Sequence, residues 1–249
     1  MTRYREIADA IREKIQSGEY ARGSVLPSNA DLAAEHAVST PVVNRALQVL
    51  RSEGLVRAER GRGTVVHEIA PLVRRAVERH RRTVREQQGG AFASEVSSLG
   101  YAPRSNLVQV GPVTPPPHVA ELLGLTDPDP VAAIRDRRMY ADDTPVQLAT
   151  SYVPWEIASG TRITQPDVGP GGTYARLAEQ GHVVTRWRER VTTRPPSEAE
   201  GDFLNLTDDQ RVLAIERVAY TTQDRPVEVT LMALPAHQWT LEYEWEDGS

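Results

Sequence analysis

Two short polar clusters near the N-terminus contain the residue types that bind nucleic acid. The first is Ser39-Thr40-Pro41, with Asn44 and Arg45 following within the next helical turn. The second is the glycine-supported segment Arg60-Gly61-Arg62-Gly63. Amide, hydroxyl and guanidinium groups hydrogen-bond to base edges, and arginine also binds phosphate oxygens. These clusters therefore indicate a surface that binds double-stranded DNA.

The distribution of charge supports this interpretation. The net charge is −5, but residues 1–88 contain 16 Lys and Arg against 11 Asp and Glu, whereas residues 89–249 contain 13 against 23. A positive segment attracts a polyanion such as DNA. A negative segment is better suited to solubility, self-association or the binding of a small ligand. We therefore expect the two parts of the chain to have different partners.

Other chemistries have little support in the sequence. The absence of cysteine excludes disulfides, thiolate zinc sites and cysteine nucleophiles. No nucleophile elbow, phosphate-binding loop or dinucleotide-binding glycine motif is present. We predict no catalytic residue, no cofactor and no metal site, because the histidines lie far apart without metal-ligand spacing. The histidines are His36, His67, His80, His118, His182 and His237.

The chain contains no apolar stretch of the roughly 18 residues that a membrane-spanning helix needs. The segment MTRYREIADAIREKI lacks the apolar core of a secretory signal. We therefore expect a cytoplasmic protein with no membrane partner. A length of 249 residues favours two domains of unequal size.

Three helices and a hairpin must position the polar clusters. Apolar residues at helical spacing predict a first helix that ends near Gly18 and a third that ends before Gly54. The side chain of Ser39 is predicted to cap the start of the third helix. Ser28 can cap a short second helix over about residues 29–36, and Asp31 can return the bond to the cap amide. Pro41 fits the first turn of the third helix, where its missing N–H costs nothing. The two apolar stripes are Ile7, Ala8, Ile11 and Ile15, and Val43, Ala46, Leu47 and Leu50.

Alternating apolar residues in segments 55–59 and 64–67 predict a β-hairpin with residues 60–63 at its tip. Helix, short helix, helix and hairpin together form a winged helix-turn-helix, whose third helix enters the major groove while the hairpin lies along the minor groove or phosphates. We assign residues 1–70 to this domain. Ten residues are predicted to contact DNA: Ser28, Asn29, Ser39, Thr40, Pro41, Asn44, Arg45, Arg60, Arg62 and Gly63.

The remainder of the chain has an α+β pattern. Segment 71–90 is predicted as a linker that is helical and basic over 71–88, and its arginines fit a solvated face better than a DNA contact. Residues 91–249 are predicted as an antiparallel-sheet domain. Six strands are expected within 106–110, 131–140, 146–153, 182–191, 211–221 and 227–234, and helices over 117–123, 172–180 and 197–204. The hairpins at 138–146 and 218–227 are weakly similar, which suggests a duplicated half.

Residues 1–68 closely resemble the DNA-binding domain of the GntR superfamily, and residues 91–245 are similar to the UTRA effector domain of its HutC subfamily. The resemblance implies a C-terminal fold related to chorismate lyase, a homodimer formed through the C-terminal domains, and a repressor whose DNA affinity depends on a small-molecule effector. The residues that carry the N-terminal resemblance are Tyr4, Gly23 to Ser28, Val38-Ser39, Ala46-Leu47, Glu53 to Val56 and Gly61 to Thr64. Those that carry the C-terminal resemblance are Gly100 to Pro103, Arg137, Thr144 to Val146, Ser151 to Pro154, Tyr174 to Leu177 and Pro226 to Glu228.

Three departures from the family pattern lie in the DNA-reading segment. Ala30, Thr40 and Asn44 occupy positions where the family usually has arginine. Each lost charge should lower DNA affinity and its dependence on salt. Thr40 and Asn44 can contact thymine methyl and adenine instead of guanine. We therefore expect a palindromic operator that differs from the usual family site.

Further departures lie in the implied effector site. Family members that bind phosphorylated sugars hold the phosphate with two arginines, of which Arg137 remains and the second is Met139. Gly172 replaces a serine, and Ala149 and Leu234 also replace polar residues. With few donors, burial of a phosphate would be costly, so we expect an effector less polar than a sugar phosphate, anchored by Arg137, Tyr174 and Glu228. The predicted effector site is Ser94, Arg137, Met139, Ala149, Tyr174, Glu228 and Leu234.

Two alternatives remain open from the sequence. The first is that the protein is an enzyme of lyase-like fold, which no motif in the sequence supports. The second is that it is a DNA-binding dimer that has lost effector sensing, which would show the same pattern of DNA-binding residues. The tryptophans could line the effector site, although a tryptophan in such a domain is more often part of the core. They are Trp155, Trp187, Trp239 and Trp245.

Overall fold

The computed structural model describes residues 2–59, 61–80 and 90–245. Contacts between Cα atoms divide the chain into two compact units, residues 1–71 and 72–249. The first unit contains three helices and a hairpin, and the second is built on an antiparallel sheet. The predicted α+β fold class is therefore confirmed.

The N-terminal unit has the predicted order of elements. Helices α1 (Arg3–Gln16), α2 (Asn29–Glu35) and α3 (Thr40–Ser52) precede strands β1 (Val56–Glu59) and β2 (Gly63–Val66). The two strands pair in antiparallel fashion, and an isolated bridge joins Val25 to Val65. Both predicted apolar stripes are buried in one core together with Leu26, Leu32 and Val56.

The helix termini show which predicted caps form. Ser28 and Asp31 make the reciprocal capping box at the start of α2. Pro41 lies in the first turn of α3, as predicted. Ser39 is the N-cap residue of α3 in extended conformation, but its side chain makes no capping hydrogen bond. Its hydroxyl is exposed, so the predicted side-chain cap at Ser39 is wrong.

The C-terminal unit contains a six-stranded antiparallel sheet in the order β4-β5-β6-β9-β8-β7. Strands β6 and β9 pair at the centre through Leu148–Tyr152 and Val229–Ala233. The elements in chain order are α4 (Gly90–Ser98), β4 (Pro103–Val113), α5 (Pro117–Leu123), β5 (Ala132–Ala141), β6 (Thr144–Pro154), α6 (Trp155–Ala158), α7 (Gly172–Glu179), β7 (Val184–Arg194), α8 (Glu198–Leu204), β8 (Val212–Thr221) and β9 (Pro226–Pro235).

The sheet is built from the same motif twice, which supports the duplicated half that the sequence suggests. Strand, helix, strand, strand is the order in both β4-α5-β5-β6 and β7-α8-β8-β9. A register irregularity before Tyr140 in the first hairpin has a counterpart before Tyr220 in the second. Asp142 and Asp224, in the two turns, both have positive φ. Residues at equal distances from these turns therefore occupy equivalent places in the two halves.

The segment predicted as a helical linker has a different structure where it is described. Residues Leu72–Arg75 form strand β3, which pairs in parallel with β10 (Trp239–Glu242), and Glu78–His80 form a 3-10 helix, η1. Both lie in the C-terminal unit. Arg74 is fully buried and makes a bidentate ion pair with Glu189 of β7. The predicted helix is therefore wrong for residues 72–80, because pairing with β10 overrides local propensity; residues 81–89 lie outside the described residues.

The helices of the described ranges contain no segment that is both long and apolar enough to cross a membrane.

His237 makes the stability of the C-terminal unit dependent on pH. Burial lowers its pKa from 6.5 to about 4, so the folded state binds fewer protons than the unfolded state between these values. Its stabilising contribution is complete above pH 6.5 and is lost as the pH falls towards 4. Between pH 7 and 5 we expect a loss of about 2 kcal/mol from this group.

Urea unfolding at pH 7 and pH 5 measures this effect. In His237→Gln, which does not titrate, the free energy of unfolding should fall less between the two pH values than in the wild type. The same fall in both proteins would show that other groups cause the acid sensitivity.

Candidate functional site

The N-terminal unit presents a polar face formed by the start of α2 and the first turns of α3. Thr40, Pro41, Asn44 and Arg45 are all exposed. Their orientation follows from the apolar stripe on the other side of α3, whose four side chains are fully buried. The core therefore holds these four side chains outward on one rigid helix, in the position that major-groove reading requires.

Asn44 is joined to α2 by a side-chain hydrogen bond. The Nδ2 atom of Asn29 donates to Oδ1 of Asn44 over 2.6 Å. This bond restrains Asn44 and leaves its Nδ2 group as a donor towards solvent. Ser28 is exposed beside Asn29, and its hydroxyl lies 2.6 Å from Asp31 Oδ2. The start of α2 thus supports the exposed face of α3.

Arg45 is oriented by an aromatic ring. Its Cζ atom lies 4.4 Å from the ring centroid of Tyr4 in α1. A guanidinium over a tyrosine face is attracted by the ring electrons and retains its outer N–H groups. The side chain of Arg45 is therefore held against Tyr4 of α1 while it stays exposed, with donors available to a phosphate.

The hairpin of β1 and β2 has one described arginine near its tip. Arg62 is exposed, and its Nη1 atom lies 2.5 Å from Glu59 Oε2. Gly61 and Gly63 both have positive φ, a conformation that glycine adopts without a steric penalty. Gly63 is exposed, whereas Arg60 lies outside the described residues. The tip thus carries a cation, but Glu59 offsets part of its charge.

The C-terminal unit contains a cavity of about 600 Å³ on one face of its sheet. A volume of this size suits a small organic molecule. Apolar surface comes from Phe92, Met139, Ala149 and Met232, among other residues. Five arginines also line it, and they are more numerous than the sequence led us to expect: Arg79, Arg104, Arg135, Arg137 and Arg217.

A chain of hydrogen bonds crosses the sheet beneath the cavity. Arg137 donates to Ser151 Oγ over 3.1 Å, and Ser151 Oγ lies 2.9 Å from Thr230 Oγ1. Arg217 donates to the same Thr230 oxygen over 3.4 Å. These residues belong to β5, β6, β9 and β8 in that order, so the chain links the two halves of the sheet.

Tyr174 and Glu228 close one side of this network. The Tyr174 hydroxyl donates to Glu228 Oε2 over 2.7 Å, and Arg217 Nη2 lies 3.6 Å from the same oxygen. Burial raises the pKa of Tyr174, so the hydroxyl remains a donor at neutral pH. Tyr174 lines the cavity, and Glu228 lies behind it. The network thus fixes the phenol ring at the cavity wall.

Arg135 anchors the loop that forms one wall of the cavity. Its guanidinium donates to the backbone oxygens of Ile163, Gln165 and Pro166, at 2.8, 2.6 and 3.1 Å respectively. Residues 167–174, which follow, all line the cavity. Gly169 in this loop has a φ of +80°, and an added Cβ would lie 2.8 Å from Arg176 Nη1. The loop therefore depends on glycine at this position.

Arg79 reaches the cavity from η1, close to the N-terminal unit along the chain. Its side chain is only 7% exposed and lies 3.6 Å from Glu95 Oε2 of α4. Burial, and then the neighbouring charge of Arg74, lower its pKa to about 10. Its Nη1 atom is buried and has no hydrogen-bond partner in the described part of the chain. Within the described part of the chain, Arg79 is thus a buried cation with one nearby carboxylate, that of Glu95.

The structure brings together most of the predicted effector residues. Arg137, Met139, Ala149 and Tyr174 line the cavity, and Glu228 contacts Tyr174. Ser94 lies on α4 but not on the lining, which takes Gly90 to Ala93 from this helix. Leu234 is fully buried beyond Met232 along β9 and does not reach the cavity.

The sequence analysis missed four of the five arginines that line the cavity, namely Arg79, Arg104, Arg135 and Arg217. The expectation of few donors was therefore wrong. The internal similarity could have identified Arg217, because it precedes Tyr220 by the same three residues that separate Arg137 from Tyr140. No comparable signal in the sequence pointed to Arg79, which lies in the segment predicted as a solvated helix.

None of the tryptophans lines the cavity. Trp155 and Trp187 pack on the core cluster that includes Ile163 and Leu177, and Trp239 donates from Nε1 to the oxygen of Val146 over 2.8 Å. Trp245 is 76% exposed. Trp187 supports the site indirectly, because its ring meets that of Tyr174 edge-on at 5.9 Å.

A metal centre is not apparent in the described ranges. No three His, Cys, Asp or Glu side chains there group closely enough to hold a metal ion.

Comparisons with known proteins agree with this architecture. Residues 3–66 match the profile of the bacterial regulatory proteins of the gntR family, and residues 98–239 match that of the UTRA domain. An uncharacterized HTH-type transcriptional regulator from Streptomyces coelicolor is 32% identical over 255 residues, which cover 99% of this chain and 94% of that protein. The HTH-type transcriptional repressor NagR from Bacillus subtilis is 24% identical over 218 residues, covering 87% and 84%.

The fold has a counterpart among solved structures. PhnF from Mycobacterium smegmatis has a TM-score of 0.60 and 21% identity, covering 99% of this chain and 100% of that one. The two matching families are transcriptional regulators and not enzymes, with a DNA-binding helix-turn-helix and an effector domain. The chain therefore belongs to the GntR family of bacterial regulatory proteins, with a UTRA domain as its C-terminal part.

Proposed function

We propose that this regulator is a repressor of the HutC type. It binds a palindromic operator as a homodimer and responds to a small molecule held in the cavity of the C-terminal unit. One observation carries the proposal. The same chain has an exposed polar face on α3 and, in its C-terminal unit, a partly apolar cavity of about 600 Å³. The relative named as a repressor supports the direction of regulation.

A two-fold dimer explains why the operator should be palindromic. Two identical reading helices related by a two-fold axis contact two half-sites of inverted sequence. Effector binding would favour a dimer geometry in which the two helices no longer match the half-site spacing. By linkage, operator DNA must weaken effector binding by the same factor.

The predicted domain limits and contacts form part of the proposal. Residues 1–70 bind DNA, and residues 91–249 hold the effector and the dimer contact together with residues 72–80, which belong to the same compact unit. We retain the ten predicted DNA contacts, including Arg60, and the effector contacts at Arg137, Tyr174 and Glu228. Met139, Ala149 and Met232 provide an apolar wall, which supports an effector with an apolar part. We expect the protein to act in the cytoplasm.

Selection from random duplex DNA at fixed salt tests this function. We expect a palindromic winning sequence that binds at least about 10³-fold more tightly than scrambled DNA. Sedimentation velocity on the same sample should give a dimer mass. A monomer, or no enrichment of any sequence, would contradict the proposal.

Asn44 should determine one position of each half-site. A single asparagine pairs with adenine, whereas arginine pairs with guanine through O6 and N7. We expect Asn44→Arg to shift the selected base at that position from adenine to guanine. Ser52→Arg adds the same charge at the exposed end of α3 and should leave the selected sequence unchanged. An identical preference in the wild type and Asn44→Arg would exclude base reading by Asn44.

The bond between Asn29 and Asn44 should be energetically coupled to operator binding. We expect Asn29→Ala to weaken operator binding by roughly 5- to 10-fold, because Asn44 loses its restraint. If Asn29 acts through Asn44, Asn29→Ala should add little in the Asn44→Ala background. A double-mutant cycle by fluorescence anisotropy measures this coupling. Additive effects would show that Asn29 contacts DNA independently.

A further inference from the structure

The hairpin of the N-terminal unit carries four charged side chains that are joined in one series of ion pairs. Arg57 and Glu59 lie on β1, Arg62 directly precedes β2, and Glu68 follows β2. Arg57 Nη2 donates to Glu59 Oε1 and lies 2.6 Å from Glu68 Oε1. Arg62 Nη1 lies 2.5 Å from Glu59 Oε2. The series therefore runs from Glu68 through Arg57 and Glu59 to Arg62, near the hairpin tip.

These four side chains carry no net charge together. Arg57 lies between two carboxylates, whereas Arg62 shares the carboxylate of Glu59 with Arg57. Arg60 is a further cation of the hairpin, but it lies outside the described residues. Affinity for the DNA backbone comes from cations that neutralise phosphates. The charge of Arg62 is thus partly neutralised by the protein itself before DNA is present.

The backbone of the turn holds Glu59 next to Arg62. The backbone N–H of Arg62 donates to the carbonyl oxygen of Glu59 over 3.1 Å. Because this bond already places the two residues together, their ion pair needs little further ordering of the chain. The side chain of Glu59 is 22% exposed and that of Arg62 is 56% exposed. The carboxylate therefore lies behind a guanidinium group that faces solvent.

Glu59 and a DNA phosphate are alternative partners for Arg62. Exposed ion pairs are weak, so a phosphate can displace the carboxylate from the guanidinium group. The displaced carboxylate still lies beside the hairpin tip, where it repels the phosphates of the bound DNA. Both effects reduce the gain from the contact between Arg62 and DNA.

We propose that Glu59 lowers the affinity of this protein for DNA by competing with phosphate for Arg62. This inference rests on the proposed contact of Arg62 with DNA and adds a residue that limits its strength. Contacts with phosphate carry no sequence information. Glu59 therefore weakens the binding of operator and scrambled DNA alike, and leaves the choice of sequence to the exposed face of α3.

The salt dependence of DNA binding tests this role. Glu59→Gln keeps the size of the side chain and removes its charge. A plot of log affinity against log salt concentration should become steeper by roughly 0.9, the value for one additional phosphate contact. At about 0.15 M salt this corresponds to binding that is roughly 5-fold tighter. Fluorescence anisotropy with the selected operator and with scrambled duplex measures both quantities.

Glu53→Gln is the matched control. Glu53 is the C-cap residue of α3, at the opposite end from the exposed polar face, and it forms a bidentate ion pair with Arg12. The variant therefore removes the same charge and also frees an arginine, but away from the hairpin. We expect its salt dependence to equal that of the wild type. An equal change in both variants would overturn the local role of Glu59.

A double-mutant cycle tests whether Glu59 acts through Arg62. Arg62→Gln should weaken DNA binding more in the Glu59→Gln background than in the wild type, because only in the wild type does the lost phosphate contact also end the competition with Glu59. Additive effects would overturn the proposed competition. Weaker binding by Glu59→Gln alone would also overturn it, since Glu59 would then orient Arg62 for DNA.

Failure of this inference differs from failure of the proposed regulatory function. Scrambled duplex reports on Glu59 even where selection yields no preferred sequence, because the contact with phosphate is independent of sequence. A preferred palindrome with unchanged salt dependence in Glu59→Gln would overturn the role of Glu59 alone. A steeper salt dependence without any preferred sequence would overturn the regulatory function alone.

Discussion

The pairing of β6 with β9 is the interaction on which the rest of the C-terminal unit depends. It joins two halves that each consist of three strands and a helix. Neither half alone would bury both faces of its sheet, since α5 packs on residues of β5, β6, β8 and β9 together. The register of this pair sets Ser151 opposite Thr230. Their hydroxyl contact then fixes where the arginines of the flanking strands meet the cavity.

The internal repeat explains why two equivalent arginines line the same cavity. Equivalent residues of the two halves lie on either side of the β6–β9 pair, so Arg137 and Arg217 both reach the cavity. The two halves differ at the next positions. Gln147 and Glu228 are equivalent residues, as are Ala149 and Thr230. One half therefore offers a neutral, apolar wall, while the other contributes the carboxylate and the hydroxyl that hold Arg217 and Tyr174.

Sequence reasoning predicted the elements with strong periodicity and missed those formed by distant partners. All six strands expected after residue 91 occur, because alternating burial leaves a clear pattern. Strand β3 was missed since its hydrogen bonds go to β10, far along the chain. Helix α4 begins at Gly90, and a glycine start gives a weak helix signal. Of the site, Arg137 and Tyr174 followed from the family pattern, whereas the burial of Arg79 follows from tertiary packing alone.

The two units differ in how their functional arginines are solvated. In the N-terminal unit, the exposed Arg45 and Arg62 bear charges that water solvates until a phosphate replaces it, so retaining them costs little stability. In the C-terminal unit, the arginines of the cavity are largely removed from water, and groups of the protein offset part of that cost. Arg135 donates to three backbone oxygens, and Arg217 lies 3.6 Å from Glu228. Because these partners lie on the sheet and on the loop beside it, they hold the guanidinium groups in fixed positions at the cavity wall.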